Sequence, residues 1–330
     1  MRWRGKLPNE SNESPPIIFF GTPEFAVESL RTILREGFRV QAVVTAPDKP
    51  AGRGLNLSAS PVKRFALSES LPVLQPARLN DPGFIQQIIS FDPALFVIVA
   101  FRILPREVWG IPRLGAFNLH ASLLPQYRGA APIPWAIING ETETGITTFF
   151  INDQVDTGEI LMQEKAVIPP DETGGDLHNR LMKAGAELVV RTIRLISSGK
   201  ADPLSQVNAG MPTAILKTAP KLKKQDLWIN WDADTLCIYN RIRGLSPHPG
   251  AFATISLTTG ATLKVQILSV VTEPFSQYPV LPPGSIVTDR KKLLKVTSRN
   301  GFIHILSLRP AGSKTMSAAD FLNGHGRLLP

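Results

Sequence analysis

Two polar residues, Asn118 and His120, close an apolar run that begins at Phe117 in the segment FNLHASLLPQYRGAAPI. Side chains two positions apart in a β-strand point to the same face, so the pair shares one face of a predicted strand. A neutral amide can donate a hydrogen bond to an oxygen that gains negative charge, and an imidazole exchanges protons near neutral pH. The pair therefore indicates proton transfer beside a developing charge. Taken alone, a His at a strand end is more often a structural residue, and Asn118 could simply cap a turn.

The elements before this pair predict a doubly wound, mostly parallel sheet. Apolar residues run almost without a break in 15–21, 39–48 and 93–101, which is typical of buried parallel strands. Segments with helical spacing of apolar residues, such as TPEFAVESLRTILREGF, separate these strands. Alternation of this kind indicates an α/β domain. Ligands of such sheets bind beyond the carboxyl ends of the strands, where Asn118, His120 and Arg102 are expected.

The rest of the chain predicts a hairpin, a long helix and then a second domain. Residues 143–168 have the pattern of two strands joined by the polar turn NDQVDTGE, and a long amphipathic helix is predicted at about 173–198. Another helix is predicted near 233–244, and five short alternating runs fill the last hundred residues or so. These runs fit an OB-like β-barrel, a module that commonly binds nucleic acid.

Loss of periodicity and changes in composition set the expected domain boundaries. The loop PDKPAGRGLNLSASP, at 47–61, is rich in Gly, Pro and Ser and is predicted to lack regular structure. The expected organisation is a flexible tail at 1–16, an α/β domain at 17–200, a linker at 201–215 and an OB-like domain at 216–330.

The positive charge is concentrated in the C-terminal part of the chain. Residues 201–330 hold 15 Lys and Arg against 7 Asp and Glu, whereas residues 1–200 hold 21 against 20. Such asymmetry suggests that the C-terminal part meets a polyanion. A basic, solvated face without a partner explains the composition equally well.

Cysteine usage and the N-terminal residues indicate a cytoplasmic protein. Cys237 is the single cysteine, so no disulfide can form within the chain, which suits a reducing compartment. Its amphipathic surroundings predict a buried position. The five His residues have no Cys partners at zinc spacing, and no structural metal is expected. Residues 1–16 lack the apolar segment of a secretory signal, and no apolar run is long enough to span a membrane.

The first predicted strand–helix turn, GTPEFA from Gly21, does not match a nucleotide-binding loop. It contains neither GxGxxG nor GxxxxGKS, the patterns that hold phosphates against a helix N-terminus. A dinucleotide-dependent oxidoreductase, which the sheet type alone would allow, is therefore a remote alternative.

Five segments together resemble the methionyl-tRNA formyltransferase family, namely PDKPAGRG, FNLHASLLPQYRGAAPI, DTGEIL, LSPHPGA and PAGSKTMSAADFL. The resemblance covers nearly the whole chain from about Ile17. It implies transfer of a formyl group from 10-formyltetrahydrofolate to the α-amine of methionine on initiator tRNA. It also suggests a monomer.

The resemblance further implies which residues form the sites. The family's catalytic residues fall on Asn118, His120 and Asp156. Its folate-binding positions fall on Ser122, Leu123, Leu124 and Pro125, and on the pterin-pocket segment Phe101, Arg102, Ile103 and Leu104. Its tRNA-inserting loop falls on Asp48 to Leu57, with Lys49 and the central Arg53. A basic cluster at Lys221, Lys223 and Lys224 is a further candidate for contact with tRNA phosphates.

The pterin-pocket segment departs from the family pattern. Members usually have AYG-x-ILP, whereas this chain has AFRILP, which is one residue shorter and has Arg102 where Gly is common. We therefore expect the wall of the pocket to differ in detail.

The residue types suit acyl transfer to an amine. Asn118 would stabilise the oxyanion, His120 would take the proton from nitrogen, and Asp156 would orient and stabilise His120. Other formyltransferases, acting on an amino sugar nucleotide or a glycinamide ribonucleotide, are the nearest alternatives, and the basic C-terminal domain argues against them. The joint presence of the three residues argues against a non-catalytic RNA-binding protein.

Overall fold

The computed structural model describes residues 14–51, 56–208, 216–275 and 281–329. By contact, the chain divides into two compact units that are each assembled from three stretches. The first unit comprises 1–129, 145–166 and 179–218, and the second comprises 130–144, 167–178 and 219–330. The domain boundaries proposed from the sequence stay predictions.

Seven strands form the main sheet, which runs in the order β5-β2-β1-β6-β7-β8-β9. These strands are β1 (Ile17–Gly21), β2 (Val40–Val44), β5 (Val73–Leu74), β6 (Leu95–Val99), β7 (Ala116–His120), β8 (Glu143–Phe150) and β9 (Ile160–Val167). Strands β5, β2, β1, β6 and β7 are parallel, and β8 is antiparallel to β7. The expected α/β fold with a mostly parallel sheet is confirmed.

Helices cover both faces of this sheet. They are α1 (Glu24–Arg35), α2 (Pro61–Ser68), α3 (Pro82–Ser90), α4 (Arg106–Trp109) and the long α6 (Gly174–Ser197), which the sequence predicted. All residues of β1 and β6 are buried, as strands covered on both faces require. Phe84 of α3 and Val108 of α4 pack on one face. On the other face, α6 comes so close that a Cβ on Gly185 would lie 2.7 Å from Leu119.

The segment 47–61 contains more regular structure than its composition predicts. Strands β3 (Lys49–Ala51) and β4 (Asn56–Ser58) form a two-stranded antiparallel ladder in which Lys49 faces Ser58. Pro50 lacks a backbone donor, which a ladder with only one neighbouring strand tolerates. The prediction of an irregular loop was therefore wrong for the described flanks.

The second unit contains a six-stranded antiparallel sheet in the order β10-β11-β14-β13-β12, with β15 paired to β14. The strands are β10 (Ala251–Ser256), β11 (Thr262–Pro274), β12 (Ile286–Thr288), β13 (Leu294–Thr297), β14 (Gly301–Pro310) and β15 (Met316–Ser317). Its helices are α5 (Pro132–Ile138), α7 (Thr235–Leu245) and α8 (Ala318–His325). This architecture confirms the expected OB-like sheet.

Cys237 corrects one expectation from the sequence. It is exposed, because it lies one position off the buried stripe of α7 that contains Ile238, Ile242 and Leu245. Across the described ranges, no helix combines the length and the apolar character needed to cross a bilayer.

The turn between β8 and β9 requires a glycine at position 158. A Cβ built on Gly158 would lie 1.6 Å from the carbonyl oxygen of Phe150, far inside van der Waals contact. The same end of the hairpin is closed by a hydrogen bond of 2.9 Å from the amide of Phe150 to the carbonyl of Glu159. The turn therefore holds its shape by the close approach of two backbone segments.

We expect Gly158→Ala to destabilise the protein by about 1–3 kcal/mol, because the added methyl must push the backbone apart in a packed region. The measurement is the midpoint of thermal unfolding. Val155→Ala is the matched control, since Val155 lies in the same turn and is 52% exposed. An unchanged midpoint for Gly158→Ala would contradict the close backbone approach.

Candidate functional site

Strand β7 places Asn118 and His120 on one face, as the sequence predicts. Leu119 between them faces α6, so their side chains lie on the opposite side of the sheet. Asn118 is paired in register with Ile98 of β6, and His120 lies at the carboxyl end of β7. The imidazole is buried, with 6% of its surface exposed, whereas Asn118 is partly exposed. Within the described chain, the Asn118 side chain makes no hydrogen bond.

A backbone carbonyl orients the imidazole of His120. Its Nε2 lies 2.8 Å from the carbonyl oxygen of Tyr127. A carbonyl can only accept a hydrogen bond, so Nε2 must carry the proton. In the neutral ring the free lone pair is therefore on Nδ1. The backbone, rather than a carboxylate as the sequence suggested, makes the orienting hydrogen bond.

Asp156 lies on the Nδ1 side of the same ring. Its Oδ2 is 3.8 Å from His120 Nδ1 and accepts a hydrogen bond of 2.9 Å from the amide of Gly129. The Asp156 side chain is 14% exposed, and its backbone has φ of +55°, a left-handed conformation. That conformation is uncommon for a residue with a Cβ, although Asp tolerates it better than most residues. The turn thus aims the carboxylate at the imidazole.

Of the three predicted catalytic residues, the structure thus brings His120 and Asp156 together, and Asn118 lies on the same strand face as His120. The Nδ1 lone pair can take up a proton, and the adjacent carboxylate stabilises the imidazolium that results. The separation of 3.8 Å between His120 Nδ1 and Asp156 Oδ2 is longer than a direct hydrogen bond. Neither group therefore occupies a hydrogen-bonding position of the other. Asn118 adds an amide that is ready to donate. No group of three or more His, Cys, Asp or Glu in the described ranges could hold a metal ion.

The turn after β7 is pinned by its own polar groups. Ser122 Oγ donates to the carbonyl of Gln126 at 2.6 Å, and Thr147 Oγ1 donates to the carbonyl of Ser122 at 2.6 Å. Gln163 Nε2 donates to the carbonyl of Leu124 at 2.8 Å. Of the predicted folate-binding residues here, Ser122, Leu124 and Pro125 are buried and Leu123 is partly exposed. These hydrogen bonds therefore hold the turn after β7 in one conformation.

The predicted pterin-pocket segment extends from the carboxyl end of β6, next to β7. Phe101 packs edge-on against Phe20 at 5.6 Å between ring centroids. Ile103 is 76% exposed, whereas Leu104 is buried. The segment thus reaches the same edge of the sheet as His120.

Arg102 is held by backbone carbonyls across the segment. Its Nη2 donates to Pro76 at 2.9 Å and its Nη1 to Ala77 at 3.2 Å, and the guanidinium lies 5.3 Å from the Phe101 ring centroid. Its Nε is buried without a hydrogen bond. Burial lowers the pKa of Arg102 below the usual arginine value. Arg102, which stands where the family commonly has Gly, thus adds a cation that is held against residues 76 and 77.

The residues predicted to contact tRNA are distributed between both units. Lys49 is exposed on β3, next to Asp48, which is bound by Lys63 at 2.6 Å. Hydrogen bonds from Lys63 and Gln75 lower the pKa of the Asp48 carboxyl. Arg53 lies outside the described residues. The three lysines of the basic cluster are exposed in the second unit, at positions Lys221, Lys223 and Lys224.

Sequence reasoning missed the groups that set the geometry of the site. The carbonyl of Tyr127 and the amide of Gly129 belong to the segment QYRGAAP, whose resemblance to a family motif was the only signal. Their contribution comes from the backbone, so the side-chain types at these positions could not reveal it.

Comparison with known proteins gives two family matches that cover most of the chain. Residues 16–193 match the formyl transferase family, and residues 221–326 match the formyl transferase C-terminal domain. The methionyl-tRNA formyltransferase of Azobacteroides pseudotrichonymphae is 46% identical over 314 residues, which is 95% of this chain and 97% of that protein. The methionyl-tRNA formyltransferase of Bacteroides fragilis is 45% identical over 308 residues, which is 93% of this chain and 94% of that protein.

Solved structures of lower identity share the fold. HypX from Aquifex aeolicus, in complex with tetrahydrofolic acid, superposes with a TM-score of 0.61 at 17% identity. The match covers 94% of this chain and 47% of HypX. An N-formyltransferase from Helicobacter canadensis, in complex with folinic acid and dTDP-3-aminofucose, gives a TM-score of 0.61 at 20% identity. It covers 91% of this chain and 99% of that protein.

The hydrogen bond to Tyr127 predicts a single neutral tautomer for His120. In protein labelled with ¹⁵N in its five imidazoles, at a pH where they are neutral, we expect His120 to carry its proton on Nε2. Long-range ¹H–¹⁵N correlation spectra distinguish the two tautomers, and the signals missing from His120→Asn identify this ring. A proton on Nδ1 would contradict the hydrogen bond from His120 Nε2 to the Tyr127 carbonyl.

Proposed function

Because this chain belongs to the formyl transferase family and aligns with methionyl-tRNA formyltransferases over 95% of its length, we propose that Asn118, His120 and Asp156 catalyse its reaction. The enzyme transfers the formyl group of 10-formyltetrahydrofolate to the α-amine of methionine on initiator tRNA, for use in translation initiation. The observation that carries the assignment is the position of His120, with Tyr127 on one ring nitrogen and Asp156 beside the other.

Asn118 stabilises the negative charge that develops on the formyl oxygen. Acyl transfer to an amine concentrates charge on this oxygen, and a preorganised donor stabilises it more than bulk water does. The Asn118 amide fits this role because it is neutral, lies on the same strand face as His120 and is not occupied by a hydrogen bond within the described ranges. A charged donor is not required.

His120 accepts the proton that the attacking nitrogen loses. Its Nδ1 is the free position, since Nε2 is already committed to Tyr127. The imidazolium that forms would donate from Nε2 to this carbonyl and lie 3.8 Å from the Asp156 carboxylate at Nδ1. Asp156 in turn is held by the Gly129 amide, which keeps the carboxylate in place as the charge appears.

The folate binds along Phe101, Arg102, Ile103 and Leu104, against the wall formed by Ser122, Leu123, Leu124 and Pro125. Within the described ranges, the main-chain groups of 102–104 make no backbone hydrogen bond, and the segment follows β6, the neighbour of β7. Free N–H and C=O groups in an extended segment suit a flat heterocycle that presents both donors and acceptors. The residues therefore fit the cosubstrate, which supplies the formyl carbon.

Arg53 and the lysines Lys49, Lys221, Lys223 and Lys224 contact the tRNA. The four lysines are exposed, and no ion pair engages any of them in the described part of the chain. Contacts from such residues to phosphates supply affinity rather than sequence choice. The excess of positive charge in residues 201–330 supports this role.

The enzyme acts as a monomer in the cytoplasm, where charged initiator tRNA is used. A single cysteine agrees with a reducing compartment. The proposed contacts to both substrates come from one chain. A mass near 36.0 kDa by light scattering would support the monomer, and a doubled mass would contradict it.

The experiment that tests this function is transfer of labelled formyl from 10-formyltetrahydrofolate to methionine-charged initiator tRNA. We expect His120→Ala to lower kcat about 10²–10⁴-fold, because a positioned general base is lost. We expect Asn118→Ala to lower it about 10²–10³-fold, because an oxyanion donor is lost.

Asp156→Asn should also lower kcat. Asp153→Asn is its matched control, since Asp153 is 65% exposed in the same turn.

The outcomes separate the alternatives. Full activity of His120→Ala would contradict the catalytic assignment. Absence of transfer by the parent, with charged tRNA still bound, would favour a non-catalytic RNA-binding protein. Absence of both transfer and tRNA binding would favour a formyltransferase that acts on a small amine.

We expect Arg53→Ala to raise the KM for charged tRNA about tenfold, the effect of losing one hydrogen bond of roughly 1.5 kcal/mol to a charged group. Folate binding should not change. Arg64→Ala is the matched control, because it removes the same charge from an exposed site on α2. Equal loss of tRNA and folate binding in Arg53→Ala would contradict a specific tRNA contact.

A further inference from the structure

Gln206 lies in the segment 201–215 that the sequence predicts to be a linker, yet it is buried. Only 6% of its surface is exposed, whereas its neighbour Val207 is 86% exposed. A passive connection does not require a buried polar side chain, and such a group is costly unless it is hydrogen-bonded. The burial of Gln206 therefore implies that its side chain has hydrogen-bond partners.

The Gln206 side chain uses its full hydrogen-bonding capacity. Its Nε2 donates to the carbonyls of Asp156, at 3.0 Å, and Gly158, at 2.8 Å. Its Oε1 accepts from Arg128 Nε, at 3.1 Å, and from Arg128 Nη2, at 2.6 Å. The reversed amide would place its NH₂ against a guanidinium and its oxygen against two carbonyls. The four contacts therefore fix one orientation.

These partners lie on the two segments that set the geometry of His120 and Asp156. Asp156 and Gly158 form the turn that aims the carboxylate. Arg128 lies between Tyr127, whose carbonyl orients His120, and Gly129, whose amide holds Asp156. Gln206 thus joins the carboxylate's turn to the loop that orients the imidazole.

Backbone hydrogen bonds of the connecting segment also reach the Asp156 turn and the loop that contains Tyr127. Leu204 exchanges two hydrogen bonds with Ile160, of 2.8 Å and 2.9 Å, just after the Asp156 turn. The amide of Tyr127 donates to the carbonyl of Lys217 at 2.7 Å, and Arg128 forms a β-bridge with Thr218. The described parts of the connection therefore flank the site within the first unit.

We propose that Gln206 is a positioning residue, which keeps Asp156 at its distance from His120 for the transfer. This inference rests on the proposed roles of these two residues. Asp156 holds a left-handed backbone conformation, which costs free energy and relaxes when its supports are lost. Removing the two hydrogen bonds from Gln206 frees the turn to move the carboxylate away from the imidazole.

Gln206→Met tests the proposal because it keeps the side chain's length and removes all four hydrogen bonds. We expect kcat for formyl transfer to fall about 10- to 100-fold, the effect of a displacement of up to 1 Å in a catalytic group. KM for folate and for charged tRNA should change less than about threefold, because no group that binds them is removed. Val207→Ala is the matched control and should retain full activity.

A double-mutant cycle distinguishes positioning from a general structural effect. If Gln206 acts through Asp156, Gln206→Met should cost no further activity in an Asp156→Asn background. Additive losses in the two backgrounds would overturn the proposal, as would an unchanged kcat in Gln206→Met. An unchanged kcat in Asp156→Asn itself would instead remove the proposed function of that residue.

Gln206→Glu provides a second variant in case Gln206→Met does not fold. It keeps the contact with Arg128 and replaces the donor to the turn with a carboxylate that the two carbonyls repel. Thermal unfolding shows whether the variant is folded. A folded Gln206→Glu with reduced kcat and unchanged KM supports the proposal, and one with parental kcat overturns it.

Discussion

One main-chain carbonyl, that of Tyr127, decides what His120 can do. It fixes the proton on Nε2, so the basic lone pair is on Nδ1 and faces Asp156. This hydrogen bond uses the main chain of Tyr127 and not its side chain. The chemistry therefore depends on the path of the backbone through residues 126–129, and on whatever holds that path in place.

The parallel sheet fixes the position from which that loop begins. Strands β6 and β7 are neighbours, with Val99 in register with Leu119, so their carboxyl ends open at the same edge. The segment from Phe101 and the His120 ring consequently start from adjacent strand ends. Because β6 is buried on both faces, these ends are fixed by dense packing rather than by polar contacts at the site itself.

Much of this arrangement could be predicted from local patterns. Continuous apolar runs marked β1 and β6, and helical spacing marked α6 to within a residue or two. The short helix α5 was missed because PIPWAII is too brief to show a helical period. Cys237 was wrongly predicted to be buried because it directly precedes Ile238, which belongs to the buried stripe of α7. A shift of one residue along a helix is enough to turn a side chain toward solvent.

The shared strand face of Asn118 and His120 was predictable because side-chain types and their spacing determine it. The supports of that face were not, since Tyr127 and Gly129 act through their backbone. Gln206 was missed for a different reason: its segment has no periodicity, and its burial follows from pairing with residues some fifty and eighty positions away. Contacts of that range leave no trace in a local pattern.

The second unit is not a contiguous piece of the chain, which passes between the two units at five places. Helix α7 packs on α5, and Arg243 of α7 donates to the carbonyl of Glu172 at 2.9 Å. A fragment that begins at Ala219 therefore carries neither α5 nor that carbonyl. Genetic recombination that exchanged only this C-terminal stretch between relatives would pair the α7 of one relative with the α5 of another. Two separate stretches of the gene therefore encode the residues that must fit one another where α5 and α7 pack.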